Sequence, residues 1–220
     1  MSPHSPRLHD SQQGRERLVR REVLQLVLHL PFDHHDLAVP VSQALDLYLS
    51  TLGQGVDALS DGYDLETDPF PLDDENWEIV RMILAPPRGV RFLDDLENPR
   101  DAHRYIKNQF ERAVELTGGT NGLSGYRFLY RSRLPWKNPR DTISLVSFSW
   151  PLESLEDHGP DRMRERVLKL AALLPFSSGH AGLAFCPTSP FASSFECVDG
   201  YTFKSTSEAE ALDWWHRFRK

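Results

Sequence analysis

Cysteine is scarce in this chain: only Cys186 and Cys197 occur among its 220 residues. Two cysteines cannot build the disulfide framework of a small secreted domain, and their spacing is not that of a zinc knuckle. One bridge between them is geometrically allowed, but nothing in the sequence requires it. We expect two free thiols in a reducing compartment.

Long hydrophobic runs are also missing. No stretch of about 18 consecutive apolar residues is present, so the sequence predicts no membrane-spanning helix. Residues 1–21 lack the apolar core and the cleavage-site pattern of a secretory signal. We therefore expect a cytoplasmic protein without a membrane partner.

Positive charge is in deficit, because 25 Lys and Arg residues face 32 Asp and Glu residues, for a net charge of -7. Binding to nucleic acid or to an anionic membrane rewards clustered cations. This negative net charge thus argues against nucleic acid as the main partner and is compatible with a basic protein partner. Many proteins, however, are mildly acidic for solubility alone.

The order of apolar runs and prolines in the sequence predicts an α+β fold. Apolar runs at residues 23–30 and 142–150 each end at a proline, which is typical of buried strands. A helix is expected after each run, opening at Pro40 and at Pro160. This order indicates two pseudo-repeated strand–helix units, which form mainly antiparallel sheets covered by helices on one face.

One domain is expected over residues 22–220, after a flexible polar tail at 1–21. Its halves are about 22–93 and 126–220, and a charged helical pattern at 99–116 suggests a helical insertion at 94–125. Smaller elements are also predicted: a hairpin at 59–71 with a turn at Asp61 and Gly62, a helix capped by Asp73, and strands at 90–93, 126–131 and 180–185. The basic residues of the strand at 126–131 are expected to face solvent. A hairpin at 195–203 and a helix at 207–218 are predicted to follow.

The stretch LPFSSGHAGLAF, residues 174–185, could hold a nucleophile and its base in Ser177 or Ser178 and His180. A serine nucleophile elbow follows a strand and precedes a helix, within GxSxG. Here the order is reversed and that motif is missing. The serines and Gly179 are typical of a turn that connects a helix to a strand. A small hydrolase using these residues is the alternative function.

A family resemblance is carried by residues 147–185, SFSWPLESLEDHGPDRMRERVLKLAALLPFSSGHAGLAF. Within it stand the segments WP at 150–151, LE at 155–156, HGP at 158–160, LPFSSG at 174–179 and AGLAF at 181–185. Together they resemble the type VI immunity family, formerly a domain of unknown function. Weaker similarity extends the resemblance over residues 22–186.

The resemblance implies an antitoxin. Similar proteins are encoded beside antibacterial effectors and protect the producing cell by binding the effector directly, and some are associated with nuclease toxins. The resemblance carries no catalytic residue over to this chain, and we expect no cofactor. A degenerate member that has lost its partner is a further alternative.

The candidate toxin-binding surface is an acidic stretch between residues 57 and 78, which has nine carboxylates and no Lys or Arg. Such a patch attracts a cationic groove that is built for phosphate, and neighbouring aromatic side chains supply anchors. The alternative is a solvated loop with Trp77 in the core. The candidate residues are Asp57, Asp61, Tyr63, Asp64, Glu66, Asp68, Phe70, Asp73, Asp74 and Glu75, and Glu78 completes the nine acids.

A second cluster, HLPFDHHD at residues 29–36, is dense in potential metal ligands. It lacks the helical spacing of HExxH and has no cysteine, so a polar loop is the better interpretation. We expect no metal and no catalytic residue.

Overall fold

The computed structural model describes residues 8–12, 15–52, 59–64, 70–86, 112–119, 124–133 and 142–187. These residues form eight strands and three helices. The strands are β1 (Leu8–Gln12), β2 (Arg15–Leu30), β3 (Leu59–Asp64), β4 (Phe70–Pro71), β5 (Ala113–Gly118), β6 (Arg127–Arg131), β7 (Ser144–Pro151) and β8 (Ser178–Pro187). The helices are α1 (His34–Thr51), α2 (Asp74–Leu84) and α3 (Glu153–Leu173).

The strands form one antiparallel sheet in the order β4-β3-β5-β6-β7-β2. Strand β1 pairs with the first part of β2, up to Arg20, and β8 pairs with β2 from Arg20 to His29. The predicted α+β class is confirmed. Both predicted strand–helix units are present: β2 leads into α1, β7 leads into α3, and β2 pairs with β7.

One face of the sheet forms the hydrophobic core beneath the helices. Alternate residues of the central strands point to this face, as the two-residue period of a strand requires. They are Leu26, Leu28, Leu30, Val114, Leu116, Phe128, Tyr130, Val146, Phe148 and Trp150, all buried. The predicted strands at 23–30 and 142–150 are confirmed by this pattern.

Helix α1 lies between α2 and α3, since it packs against both. Its Tyr48 is fully buried and fixes the helix on the sheet. The Tyr48 hydroxyl donates to the carbonyl oxygen of Ser149 and accepts from the backbone N–H of Arg127. A single side chain thus ties α1 to β6 and β7.

Helix α1 begins six residues before Pro40, so the prediction that Pro40 opens it is wrong. The helix starts after Asp33, whose carboxylate accepts a hydrogen bond from the backbone N–H of His35. The earlier start buries Leu37 and Ala38. Burial of that first turn outweighs the hydrogen bond that a proline within a helix cannot donate.

Helix α3 agrees more closely with its prediction. It bends at Gly159, which has φ 77°, and Pro160 then opens the longer segment. An apolar stripe of this helix faces the core, with Met163, Leu170 and Leu174 buried.

Three other predictions are wrong in the described residues. Asp61 and Gly62 form no turn but lie within β3, where Gly62 pairs with Phe70 and with Leu116. The predicted helix at 99–116 and the insertion at 94–125 fail over Ala113–Gly118, because these residues form β5 inside the sheet. The predicted tail at 1–21 contributes β1 and the start of β2.

Several predicted elements lie outside the described residues. They are the strand at 90–93, the hairpin at 195–203, the helix at 207–218 and most of the insertion.

Candidate functional site

The first turn of α2 carries the exposed acids of the candidate surface. Asp73 caps the helix, as predicted, and its carboxylate accepts a hydrogen bond from the backbone N–H of Asn76 at 2.9 Å. Asp74 and Glu75 follow in the first turn, and Glu78 lies one turn further on. These three side chains are exposed, and the i, i+4 spacing of Asp74 and Glu78 puts them on one side of the helix.

The start of α2 is held against the edge of the sheet. The backbone N–H of Leu72 donates to the carbonyl oxygen of Ser60 at 2.8 Å, and the Asn76 amide donates to the carbonyl oxygen of Pro71 at 2.9 Å. The carboxylate of Asp61 accepts from the Ser60 hydroxyl at 2.7 Å. Asp61 of β3 and the capping Asp73 therefore lie on adjacent chain segments.

Two further candidates lie on opposite faces of the sheet. Tyr63 pairs with Glu115, away from the helices, and burial raises the pKa of its hydroxyl. Phe70 packs on the helical side, over Gly62. A β-carbon at Gly62 would clash with the Phe70 ring, which explains the glycine. The predicted set is thus divided between the two faces.

The remaining candidates have no described side chain. Asp57, Glu66 and Asp68 lie outside the described residues, and Asp64 is described only as the last residue of β3.

A polar row on the face away from the helices was not predicted. The guanidinium of Arg127 lies 2.6 Å from the Glu115 carboxylate, and the Gln25 amide donates to the Ser147 hydroxyl at 3.1 Å. Arg127 is 5% exposed, so the prediction that the basic residues of this strand face solvent is wrong for it. The alternation of Ser147 and Ser149 with apolar neighbours is a signal that could have indicated this face.

The serine pair has a histidine partner, but not the predicted one. Nδ1 of His29 lies 3.1 Å from the Ser178 hydroxyl, while the backbone N–H of Ser177 donates to the His29 carbonyl oxygen. His180 pairs instead with Val27. No carboxylate within the described ranges bonds to His29, so the orienting acid of a catalytic triad is missing there.

The histidine-rich cluster does not converge on a metal. His34 is buried, with Nε2 donating to the Ala85 carbonyl oxygen at 2.9 Å and Nδ1 accepting from the Tyr130 hydroxyl at 3.0 Å. Both ring nitrogens are therefore occupied, and burial lowers the pKa of His34 to about 4. In the part of the chain that is described, no three His, Cys, Asp or Glu side chains form a metal-binding group.

None of the three helices in the described ranges is long and apolar enough to cross a membrane.

Comparison with known proteins identifies a family and a solved structure with a similar fold. A family model, "TsiV: Type VI immunity for VRR-NUC", matches residues 92–213, more than half of the chain. A solved structure, "Pseudomonas aeruginosa T6SS protein PA0821", matches with a TM-score of 0.59 and 14% identity. The match covers 94% of this chain and 50% of that one, so this chain spans about half of that length. No curated protein matches.

Proposed function

The chain belongs to the family of type VI immunity for VRR-NUC, and on this premise we propose that it binds a cognate antibacterial effector and occludes the effector's working surface. The resemblance predicted from residues 147–185 is confirmed at the level of the family. The effector, the surface and the mode of neutralisation are our proposal.

The chemistry of the partner supports an acidic contact surface. The family description names VRR-NUC, and a nuclease has to bind a polyanion. Such proteins hold phosphates with Lys and Arg, so their substrate groove is cationic. A negatively charged protein surface is attracted to that groove and competes with DNA for it.

We assign the contact to an acidic edge, defined here as Asp61, Asp73, Asp74, Glu75 and Glu78. The observation that carries the assignment is the exposure of Asp74, Glu75 and Glu78 on a helix start that is fixed to the sheet edge. A fixed surface loses less conformational entropy on binding than a mobile one.

The one cationic side chain of α2, Arg81, is paired with an acid outside this edge. The guanidinium of Arg81 forms an ion pair with Asp46 of α1, and its carbon lies 6.0 Å from the centre of the Trp77 ring. Trp77 packs against the hydrophobic core, as the alternative interpretation expects, and is half-buried, so part of its side chain stays accessible next to the acids. A partner that reaches the acidic edge therefore also meets an aromatic side chain, which is the residue type that most often anchors interfaces.

The test is the affinity of a purified VRR-NUC effector, encoded beside this chain, for the wild type and for two neutralised variants. The edge variant carries Asp74→Asn, Glu75→Gln and Glu78→Gln. The control variant carries Glu156→Gln, Asp157→Asn and Asp161→Asn, three exposed acids of α3. Both variants remove three charges, and α1 lies between the two sets.

We expect the edge variant to bind at least about tenfold more weakly, with a flatter salt dependence, and the control to bind like the wild type. Equal affinity of wild type and edge variant would remove this surface from the proposal. If both variants lost the same affinity for the effector, binding would depend on the net charge of this chain and not on the acidic edge.

A further inference from the structure

Strand β8 forms a long edge of the sheet that no described strand covers. It pairs with β2 from Ser178 opposite His29 to Pro187 opposite Arg20, and its other side has no partner among the described strands. His180, Ala181 and Leu183 are exposed, with Leu183 at 67%. Proteins commonly protect such edges with lysine, proline or a bulge. Residues 178–185 contain no charged residue and no proline.

Gly182 in this strand has no role in the packing of the described chain. A β-carbon added there would meet no atom within 4 Å, and its φ is not positive. Gly179 differs, because a β-carbon there would come within 2.6 Å of the Leu28 side chain. A glycine inside a strand weakens it and often marks close approach of another backbone. The packing of this chain therefore requires a glycine at position 179, whereas Gly182 leaves open space on the surface.

The open space at Gly182 can take a side chain from a second copy of the same strand. If two copies of β8 pair antiparallel about Ala181, Leu183 of one copy lies opposite Gly179 of the second, and His180 lies opposite Gly182. Leu183 and Gly179 are on one face of the strand, and His180 and Gly182 on the other, as their pairing with β2 requires. His180 of each copy then meets the open space at Gly182 of the other copy, whereas the space over Gly179 is already taken by the Leu28 side chain.

We propose that β8 pairs with β8 of a second copy of this chain, so that two sheets join across a two-fold axis. A closed two-fold dimer is the commonest arrangement of identical subunits, and it removes both open edges at once. The inference rests on β8 alone and is independent of the effector and of the acidic edge.

The experiment is sedimentation velocity on the full chain over a concentration series, with two edge variants and one control. Gly182→Val fills the open space, and Leu183→Lys puts a charge at the edge. Val39→Lys is the control, because Val39 is similarly exposed, at 55%, but lies on α1. Circular dichroism and thermal unfolding check that each variant is folded.

We expect a wild-type dimer, a control dimer, and dimer dissociation constants about ten- to hundredfold larger for both edge variants. Because nothing in the described chain opposes a side chain at position 182, Gly182→Val should keep the monomer folded. A monomeric wild type at every concentration would overturn the proposal, and so would edge variants that dimerise like the control. If the wild type is monomeric and Leu183→Lys weakens effector binding, the edge belongs to the effector instead.

Discussion

The Glu115 carboxylate and the Arg127 guanidinium lie 2.6 Å apart on neighbouring strands, with side-chain exposures of only 11% and 7%. Strand β5, which carries Glu115, sits between β3 and β6. The ion pair therefore joins the strand that supports the acidic edge to the centre of the sheet.

Removal of one partner of this pair should destabilise the fold strongly. Glu115→Gln leaves the buried guanidinium without the carboxylate that neutralises it, and we expect a loss of about 3–5 kcal/mol in the free energy of unfolding, measured with urea. The control is Glu165→Gln, which breaks the exposed pair with Lys169. A loss as small as that of the control would show that the buried pair is not important for stability.

Stability should also depend on the protonation of His34. Burial lowers its pKa from 6.5 to about 4, so between these values the unfolded chain binds more protons than the folded chain. Neutral His34 therefore makes its full contribution to the free energy of unfolding above pH 6.5, and this contribution is lost as the pH falls towards 4. It amounts to about 3 kcal/mol.

The measurement is the free energy of unfolding from pH 7 to pH 4 for the wild type and for His34→Gln. We expect the wild type to lose more stability over this range than the variant does. The exposed neighbour His35, changed to Gln, serves as control and should follow the wild type. Parallel pH profiles for wild type and His34→Gln would contradict the assignment.

The parts of the fold that the sequence predicts are those set by local patterns. The apolar runs of β2 and β7 end at prolines, and Asp73 stands directly before a helical pattern. A proline that ends a strand and an aspartate that caps a helix each affect only the few residues next to them. Both can therefore be recognised without knowing how the rest of the chain folds.

The parts that the sequence does not predict depend on distant partners. Residues 113–116 are compatible with a helix, and only their pairing with β3 and β6 makes them a strand. Asp61 and Gly62 resemble a turn, yet Phe70 and Leu116 place Gly62 in a sheet. Arg127 is polar and was expected to be exposed, but Glu115 makes its burial tolerable. Within the candidate site, the acids on α2 follow from the helix pattern, whereas the separation of Tyr63 from Phe70 does not.

The cap of α2 should contribute to its stability. Asp73→Ala removes the acceptor for the backbone N–H of Asn76, and we expect a loss of about 1 kcal/mol, with faster hydrogen exchange in the first turn of α2. Asp73→Asn keeps an acceptor and should lose much less. Identical exchange rates in Asp73→Ala and the wild type would show that the cap does not hold this turn.

The contact between Ser178 and His29 should be structural. Because no described carboxylate orients His29, we expect a fluorophosphonate probe to leave Ser178 unmodified under conditions that label a serine hydrolase. Covalent labelling of Ser178 is measured by mass spectrometry of the treated chain, and the Ser178→Ala variant serves as the negative control. Labelling of Ser178 that disappears on changing His29 to Ala would favour the hydrolase alternative.

DNA cleavage by the proposed VRR-NUC effector, titrated with this chain, tests the central proposal most directly. Binding that occludes the substrate groove predicts that cleavage stops when the two proteins are equimolar, and that the Asp74→Asn, Glu75→Gln, Glu78→Gln variant requires an excess. Cleavage that continues unchanged in an excess of the wild-type chain would contradict the proposed function.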